Sequence, residues 1–279
     1  PVVIEPGSFQ SILSGTGKNY GKIKYSKNKL FLDEDQQYSC AFFQKEDDTL
    51  EQAQVNKKQH IAKKLLLEPG MTVLDIGCGW GGLSLTLAKD YDVNVLGITL
   101  SEEQKLIAEE RAIKEGLQDK VKFKILDYRT DFGTFDRIVS VGMFEHVGTS
   151  NYIDYFEEIR KKLNKNGIAL IHTIGRVSPP GNNSPWLEKY IFPGGYTPAM
   201  SEMVASVERN YLYITDIEVW RLHYAKTLHH WHSRFTENEK KIREIYDERF
   251  CRMWRYYLIA CEISFRHYQQ VVFQVQISK

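Results

Sequence analysis

Apolar and polar positions follow two alternating periods through the middle of the chain. Short apolar runs of strand length recur between stretches in which the apolar residues are spaced three and four positions apart. The runs predict five strands, at 73–76, 93–98, 121–126, 135–141 and 168–174. The intervening stretches predict helices at 83–91, 101–115 and 152–163. Strands that alternate with helices in this way predict a parallel sheet with helices on both of its faces.

The alternation stops at Gly175, where loops that contain Pro and Gly begin. Beyond it, helical patterns occupy 200–210 and much of 224–267, while 211–220 and 270–277 predict two more strands. A further helix is predicted at 49–67, before the first strand. We therefore expect an α/β fold, namely a doubly wound, mostly parallel seven-stranded sheet with a helical insertion.

The turn after the first predicted strand is rich in glycine. The sequence Val73–Gly82 (VLDIGCGWGG) passes from an apolar run through four glycines into a helical pattern. Glycine lets the backbone approach a ligand closely, and the start of a helix presents unpaired N–H groups. In doubly wound sheets a turn of this kind binds nucleotide-like cofactors.

The next strand helps to decide which cofactor binds. A dinucleotide site would have an acidic residue roughly 20 positions further on, at the end of the second strand. Here the chain continues as Thr99-Leu100-Ser101, without a carboxylate. Asp75 would repel a pyrophosphate but suits a cationic cofactor such as S-adenosylmethionine. Alternatively, Asp75 ties down the turn by accepting backbone hydrogen bonds, and the two roles are compatible.

Charge and cysteine content narrow the class of protein. The 37 basic and 36 acidic residues give a formal net charge of +1, so no overall field favours nucleic acid as a partner. The four cysteines form no Cys-x-x-Cys pair, so the disulfide and metal interpretations are both weak and reduced thiols in the cytoplasm are the default expectation. No apolar run approaches the roughly 20 residues that span a bilayer, and we find no signal-peptide pattern.

The start of the chain is rich in lysine. Five lysines lie in a segment that contains Gly and Asn and shows little periodicity, at positions 18, 22, 24, 27 and 29. The segment is either a solvated, mobile stretch or a patch attracted to anionic lipid. The second alternative predicts a cytoplasmic protein that associates peripherally with a membrane.

Together, these motifs resemble the class I S-adenosylmethionine-dependent methyltransferases and, more narrowly, the cyclopropane fatty acid synthases and their mycolic acid relatives. The specific segments are Tyr38–Ala41 (YSCA), Ser140–Gly148 (SVGMFEHVG) and His172–Gly175 (HTIG). The glycine turn, Gly97–Ser101 with Gln104, Tyr190–Gly194, Tyr224 and Tyr256–Cys261 also fit. The resemblance covers nearly everything from Tyr38 to the C-terminus.

The resemblance implies transfer of a methylene group from S-adenosylmethionine to a cis double bond of an unsaturated phospholipid acyl chain. A carbocation forms, and a bound bicarbonate ion removes the proton that allows the ring to close. The implied catalytic positions are Cys40, Glu145, His172, Ile174 through its backbone, and Tyr224. The carboxyl ends of parallel strands are where ligands bind in this architecture, which agrees with the positions of Glu145 and His172.

The resemblance also implies the cofactor contacts. It places Tyr38 and Ser39 near the methionine end, Gly77 and Gly79 beneath the cofactor together with Asp75, and Thr99 and Gln104 at the ribose. Asp127 and Tyr128, just after the third strand, are candidates near the adenine. The corresponding division of the chain is an N-terminal segment or lid at 1–48 and a catalytic domain at 49–279, with a lipid-binding insertion at about 175–210 and 222–268.

Each candidate also has a purely structural interpretation. Cys40 is a candidate small buried hydrophobe, His172 a core histidine, Glu145 a helix cap, and Gln104 the partner of Ser101 in a capping box. We interpret His146 as structural. The group His229, His230 and His232 matches no common zinc spacing, so we expect a partly solvated helical face and no metal site.

Three functions remain open at this point. The first is the cyclopropane synthase, and the second is a C-methyltransferase that stops at a methyl branch or acts on another lipid or a sterol. The third is a non-catalytic module that binds lipid or cofactor. The sequence is compatible with a homodimer.

Overall fold

The computed structural model describes residues 30–279 and contains one seven-stranded sheet in this range. The lysine-rich segment and most of the predicted N-terminal lid lie outside the described residues. The strands are β1 (Thr72–Ile76), β2 (Asn94–Thr99), β3 (Val121–Ile125), β4 (Phe135–Val141), β5 (Leu163–Arg176), β6 (Tyr213–Trp220) and β7 (Gln270–Ser278). Their order across the sheet is β3-β2-β1-β4-β5-β7-β6.

The first five strands are parallel, and β7 runs antiparallel between β5 and β6. The chain adds β2 and β3 on one side of β1 and then returns to add β4 and β5 on the other. The strand order therefore reverses between β1 and β4, and ligands bind at such a switch point, beyond the carboxyl ends of the strands. The predicted doubly wound, mostly parallel sheet is confirmed.

Nine α-helices surround the sheet in the described part of the chain. They are α1 (Leu50–Leu65), α2 (Gly82–Tyr91), α3 (Glu102–Lys114), α4 (Tyr152–Lys162), α5 (Pro185–Tyr190), α6 (Met200–Arg209), α7 (Leu222–Glu237), α8 (Glu239–Ile245) and α9 (Glu248–His267). Polar side chains cap several of them. For example, Thr49 accepts a hydrogen bond from the Gln52 N–H at 3.2 Å, and Asp247 accepts one from the Phe250 N–H at 2.7 Å.

Successive residues of the central strands pack into cores on opposite faces of the sheet. Val73 of β1 and Leu170 of β5 contribute to the core shared with α1, α2 and α3. Leu74 and Ile171, one position further along the same strands, contribute to the core shared with α4 and α6. This alternation follows from the two-residue period of a strand and explains why most residues of the central strands are apolar.

A third, aromatic core lies among α7, α9 and the segment 31–43. It contains the buried indoles of Trp220, Trp231 and Trp254 together with Phe31 and Phe43. The start of the described chain therefore packs against the helices that follow β6. None of the described helices is both long and apolar enough to cross a membrane.

The structure differs from the predicted elements in two places. β5 begins at Leu163, five residues before the predicted start, and its pairing with β4 jumps from Phe135–Leu163 to Arg137–Ile168. Asn166 and Gly167 thus lie inside the strand, where its register with β4 shifts. Helix α5 was not predicted, because its six residues are too few for a helical period to be recognised.

Candidate active site

The glycine turn between β1 and α2 leaves open space where a ligand can approach. Gly77, Gly79 and Gly81 have φ values of 81°, 54° and 81°, which only glycine adopts readily. The N–H groups of Gly77 and Cys78 both donate to the Ile98 carbonyl at 3.0 Å, which fixes the turn to β2. A Cβ at Gly81 would lie 2.7 Å from the Phe123 ring, whereas one at Gly79 would meet nothing within 4 Å.

Asp75 is buried near the carboxyl end of β1. Its Oδ2 accepts a hydrogen bond from the Ser84 hydroxyl at 2.6 Å, so the carboxyl ties the strand to α2 through a side chain. Burial raises the pKa of Asp75 to about 6. A cationic ligand near Asp75 would stabilise the ionised carboxylate and lower its pKa, because opposite charges attract strongly where water is excluded.

Thr99 and Gln104 form a pair at the end of β2. The Thr99 hydroxyl donates to the Gln104 Oε1 at 2.9 Å, and Ser101 caps α3 by accepting from the Gln104 N–H at 3.3 Å. Gln104 therefore takes part in helix capping through its backbone and pairs with Thr99 through its side chain.

The two residues predicted near the adenine follow β3 and have neighbours of their own. The Asp127 carboxylate accepts a hydrogen bond from the Arg129 Nε at 2.9 Å, and Arg129 lowers the pKa of Asp127. The Tyr128 ring packs edge-on against Tyr155, with 5.3 Å between ring centroids. Asp127 is thus already paired with a cation, while Tyr128 is fixed by an aromatic contact.

The segment that carries Tyr38 and Ser39 is fixed by a buried lysine that our sequence analysis missed. Lys57 of α1 donates to the Ser39 hydroxyl at 2.8 Å and to the Gln37 Oε1 at 2.6 Å, and burial lowers the pKa of Lys57 to about 8. Positions 50, 53, 57 and 61 share one face of α1, and the other three are apolar. This spacing is the sequence pattern that could have indicated that Lys57 is buried. Tyr38 stacks on Trp231 at 5.0 Å, and its hydroxyl lies 3.1 Å from that of Tyr257.

Asp35 joins the same segment to the glycine turn. Burial opposes its ionisation, but ion pairs with Lys58, at 2.7 Å, and with Arg111 hold the pKa of Asp35 below its ordinary value. A Cβ on Gly82 would lie closer than 3.0 Å to the Asp35 carboxylate. The absence of a side chain at Gly82 is therefore what lets residues 33–40 close over the turn.

All five predicted catalytic residues line one cavity of about 110 Å³ beyond β4 and β5. The lining also includes Tyr38, Ser39 and His146. His146, which we interpreted as structural, thus lies at the cavity wall, and burial lowers the pKa of His146 to about 4. The five residues predicted to be catalytic that line this cavity are Cys40, Glu145, His172, Ile174 and Tyr224.

Glu145 belongs to a short 3₁₀ turn, Phe144–His146, that follows β4. Its Oε1 accepts a hydrogen bond from the Ile174 N–H at 2.7 Å, whereas its buried Oε2 has no hydrogen-bond partner in the described part of the chain. Burial raises the pKa of Glu145 to about 7, although the Ile174 N–H favours the ionised form. The side chain does not act as the helix cap that we considered as an alternative.

His172 is buried near the end of β5. Its Nδ1 lies 3.0 Å from the Gln274 Nε2, and its ring packs edge-on against Trp220 with 5.4 Å between centroids. Burial, together with the nearby charge of Lys57, lowers the pKa of His172 to about 3. The imidazole is therefore neutral at physiological pH.

Cys40 and Tyr224 complete the polar part of the cavity. Burial raises the pKa of the Cys40 thiol and that of the Tyr224 hydroxyl, so both groups remain protonated. A protonated thiol is a poor nucleophile, but a hydroxyl and a thiol can each donate a hydrogen bond. Among the described residues, the lining of the cavity thus presents neutral donors and no Lys or Arg side chain.

A second cavity of about 500 Å³ adjoins the first. Both are lined by Ile174, Asn183, Phe192, Thr197 and Tyr224. The larger one extends between α5, α7 and α9, where Leu187, Leu228, Tyr257 and Phe265 contribute to its wall. The small cavity therefore continues into a larger space that has apolar and aromatic side chains on the side of α7 and α9 and polar ones, such as Arg176 and Asn182, on another side.

Two of the three histidines considered above, His229 and His230 of α7, contact residues on other segments. His229 lies 3.4 Å from the Glu262 carboxylate, and His230 stacks on Phe43 at 5.5 Å. Within residues 30–279, no group of three or more His, Cys, Asp or Glu side chains is placed to hold a metal ion.

A family model described as mycolic acid cyclopropane synthetase matches residues 25–275. The chain belongs to this family. The motifs that suggested the resemblance, from YSCA to HTIG, all lie within the matched range. The identification of the family from these motifs is confirmed.

Curated bacterial relatives match most of the chain. It is 46% identical over 255 residues to the cyclopropane-fatty-acyl-phospholipid synthase of Escherichia coli K12, covering 90% of this chain and 65% of the relative. It is 43% identical over 246 residues to a protein of Pseudomonas putida named as a probable fatty acid methyltransferase, covering 85% and 62% respectively. The chain thus spans just under two thirds of the length of these relatives.

Solved structures from Mycobacterium tuberculosis show the same fold. The cyclopropane synthase MmaA2 is 31% identical, with a TM-score of 0.89 over 97% of this chain and 98% of that one. The mycolic acid cyclopropane synthase CmaA1, in complex with SAH and CTAB, is 32% identical, with a TM-score of 0.84 over 90% and 93%. The predicted class I methyltransferase fold is confirmed.

Proposed function

We propose that this protein transfers a methylene group from S-adenosylmethionine to a cis double bond in an unsaturated phospholipid acyl chain and closes a cyclopropane ring. One observation carries the proposal. Glu145, His172 and Tyr224 converge on a small cavity that continues into a larger one with aromatic walls. Membership of the cyclopropane synthetase family supports the same activity.

The residues at the carboxyl ends of β1 and β2 fit S-adenosylmethionine. The backbone at Gly79 is open to a ligand, Asp75 supplies negative charge, and the Thr99–Gln104 pair offers hydroxyl and amide groups to a ribose. When bound, this cofactor supplies an electrophilic methyl group on a sulfonium. The SAH in the CmaA1 complex is the demethylated form of the same compound and supports this assignment.

The small cavity fits a bicarbonate ion. A protonated Glu145 donates from Oε2, which has no partner among the described residues, and His172 and Tyr224 offer further donors. These donors are neutral, so the anion would not be locked in an ion pair that suppresses its basicity. When bound there, bicarbonate supplies the base that accepts a proton from the new methyl group.

Aromatic side chains protect the positive charge that the reaction creates. Tyr38 lines the small cavity, Tyr257 lines the larger one and Tyr224 lines both, while Trp231 packs against Tyr38 and Tyr224. The negative faces of such rings favour a nearby cation. The same rings keep water away from the carbocation. Attack by water would form an alcohol in place of the ring. The larger cavity then accommodates the acyl chain, in agreement with the long-chain CTAB bound to CmaA1.

A stripe of exposed apolar side chains lies on α9 next to the larger cavity. Tyr256, Ile259 and Ile263 are 56%, 38% and 43% exposed and lie on one stripe of the helix. Trp186 of α5 packs on Tyr256 at 4.5 Å, and the exposed cations Arg249, Arg252 and Lys189 lie on the same two helices. Apolar side chains bordered by cations suit the surface of an anionic bilayer, so we propose that the protein acts as a peripheral membrane enzyme in the cytoplasm.

The proposal is tested by incubating the protein with S-adenosylmethionine and dispersed unsaturated phospholipid. We expect the lipid to gain the mass of one CH₂ group per modified double bond, and a saturated phospholipid of equal length to gain none. Structural analysis of the product distinguishes a ring from a methyl branch, which has the same mass. Binding of the cofactor without any gain in mass would instead identify a non-catalytic module.

A further inference from the structure

Gln274 of β7 lies directly opposite His172 of β5. The two residues are paired in the antiparallel register of these strands, and the Gln274 side chain is fully buried. Its Nε2 lies 3.0 Å from the His172 Nδ1. Gln274 reaches the proposed active site only through this contact, because it does not line the cavity itself.

The direction of this hydrogen bond decides where the imidazole carries its proton. An amide nitrogen can only donate, so the His172 Nδ1 accepts and the proton of the neutral ring resides on Nε2. The reversed amide would leave both N–H groups of Gln274 where the structure places its carbonyl oxygen, a buried position with no hydrogen-bond partner in the described residues. An unpaired buried carbonyl is tolerated more often than an unpaired buried NH₂ group, so the observed orientation is favoured.

We propose that Gln274 is a positioning residue, which fixes the tautomer of His172 so that Nε2–H serves as a hydrogen-bond donor to the anion in the small cavity. Trp220 restricts rotation of the ring from another side by its edge-on contact. The opposite tautomer would present a lone pair at Nε2 and repel an anion. The inference rests on the proposed bicarbonate site, but the tautomer itself is a property of the protein alone.

The direct test is ¹⁵N NMR of His172 in the cofactor-free, wild-type protein, with the signal assigned through a His172→Gln variant. We expect the Nε2-protonated tautomer and an Nδ1 that accepts a hydrogen bond. Observation of the Nδ1-protonated tautomer would overturn the inference, whether or not the protein is active. Conversely, the expected tautomer in a protein without methylene transfer would contradict only the proposed function.

A variant pair provides the functional test. Gln274→Met removes the hydrogen bond at nearly constant volume, and Gln276→Met changes the same residue type two positions along the strand, where the side chain donates to the Lys64 carbonyl. We expect Gln274→Met to raise the bicarbonate concentration for half-maximal activity about tenfold and leave S-adenosylmethionine affinity unchanged. An unchanged bicarbonate requirement, or an equal change in both variants, would contradict a positioning role.

Discussion

One oxygen of the Glu145 carboxyl accepts a hydrogen bond from the Ile174 N–H at 2.7 Å, and the other has no partner in the described chain. The carbonyl oxygen of a neutral carboxyl group is a better hydrogen-bond acceptor than its hydroxyl oxygen. The proton of the neutral acid therefore resides on Oε2. The backbone of β5 thus defines which oxygen of Glu145 donates to a ligand in the small cavity.

The first prediction concerns the pH dependence of turnover. Because the pKa of Glu145 is about 7, raising the pH through this value ionises the carboxyl and places a second negative charge beside the proposed anion. We expect turnover at fixed bicarbonate to fall above about pH 7 for this reason. Glu145→Gln keeps a donor and an acceptor without a titrating proton, so its activity, although lower, should lack this decline.

The matched control for this experiment is Glu157→Gln. Glu157 lies on the outer face of α4, with a half-exposed side chain, and pairs with Lys161 at 3.0 Å. Its pH profile should follow that of the wild-type protein. If Glu145→Gln also declined in parallel with the wild type, the titration would belong to a different group.

The second prediction is that Glu145 makes the free energy of unfolding depend on pH. The pKa of about 7 in the folded state lies above the ordinary value of 4.5, so the folded protein retains a proton that the unfolded chain loses between these pH values. The free energy of unfolding should therefore fall as pH rises through this window, by up to about 3 kcal/mol from this one group. Chemical denaturation should show that Glu145→Gln gains stability relative to the wild type from pH 4 to pH 8, and a constant difference would refute the assignment.

Gly82 and Asp35 should be energetically coupled. Gly82→Ala places a Cβ closer than 3.0 Å to the Asp35 carboxylate, so we expect a loss of about 1–3 kcal/mol in the free energy of unfolding. In an Asp35→Ala background the obstructing oxygens are gone, and the cost of Gly82→Ala should shrink. Denaturation of the two single variants and the double variant measures the coupling. An equal cost in both backgrounds would show that the contact with Asp35 is not the cause.

The sheet could be predicted because strand burial leaves a strong signal in the sequence. β4 was predicted with the bounds that the structure gives it, since both its faces are covered and it is apolar for most of its length. Glu145 follows β4 and His172 lies near the end of β5. We could therefore predict that both lie at the ligand site, because ligands bind at the carboxyl ends of parallel strands. Their assigned chemistry depended on resemblance, because a single Glu or His in such a place has many structural roles.

The buried polar residues could not be predicted in the same way. Polar residues alternate with apolar ones in β7, which normally indicates a strand with a solvated face. Gln274 is nevertheless buried, because the face of β7 that carries Val272 and Gln274 is covered by the aromatic core. Lys57 occupies the apolar face of α1, but lysine is almost never fully buried unless it is paired. Its partners come from residues 37–39, and only the fold shows that contact.

Lys57 should matter for cofactor affinity. Lys57→Met retains the apolar stem but removes the hydrogen bonds to Ser39 and Gln37, which hold the segment next to the glycine turn. We expect the dissociation constant for S-adenosylmethionine to rise about tenfold, which corresponds to about 1.4 kcal/mol. The control is Lys63→Met, an exposed position on the same helix that should bind as the wild type does. Calorimetric titration compares the two, and unaltered affinity in Lys57→Met would contradict this role.

The exposed stripe of α9 predicts how the protein meets a bilayer. Replacing Ile259 and Ile263 together with serine removes two partly exposed apolar side chains, and we expect weaker binding to vesicles of anionic phospholipid, by roughly tenfold. Ile113→Ser provides the control, because Ile113 is 66% exposed but lies on α3, away from the larger cavity. Activity on detergent-dispersed lipid should change much less than activity on vesicles, since the stripe does not line the small cavity.

Equal vesicle binding by the α9 and α3 variants would place the membrane contact on another surface. Vesicle binding of the wild type that resists high salt would argue that the apolar side chains dominate over Arg249 and Arg252.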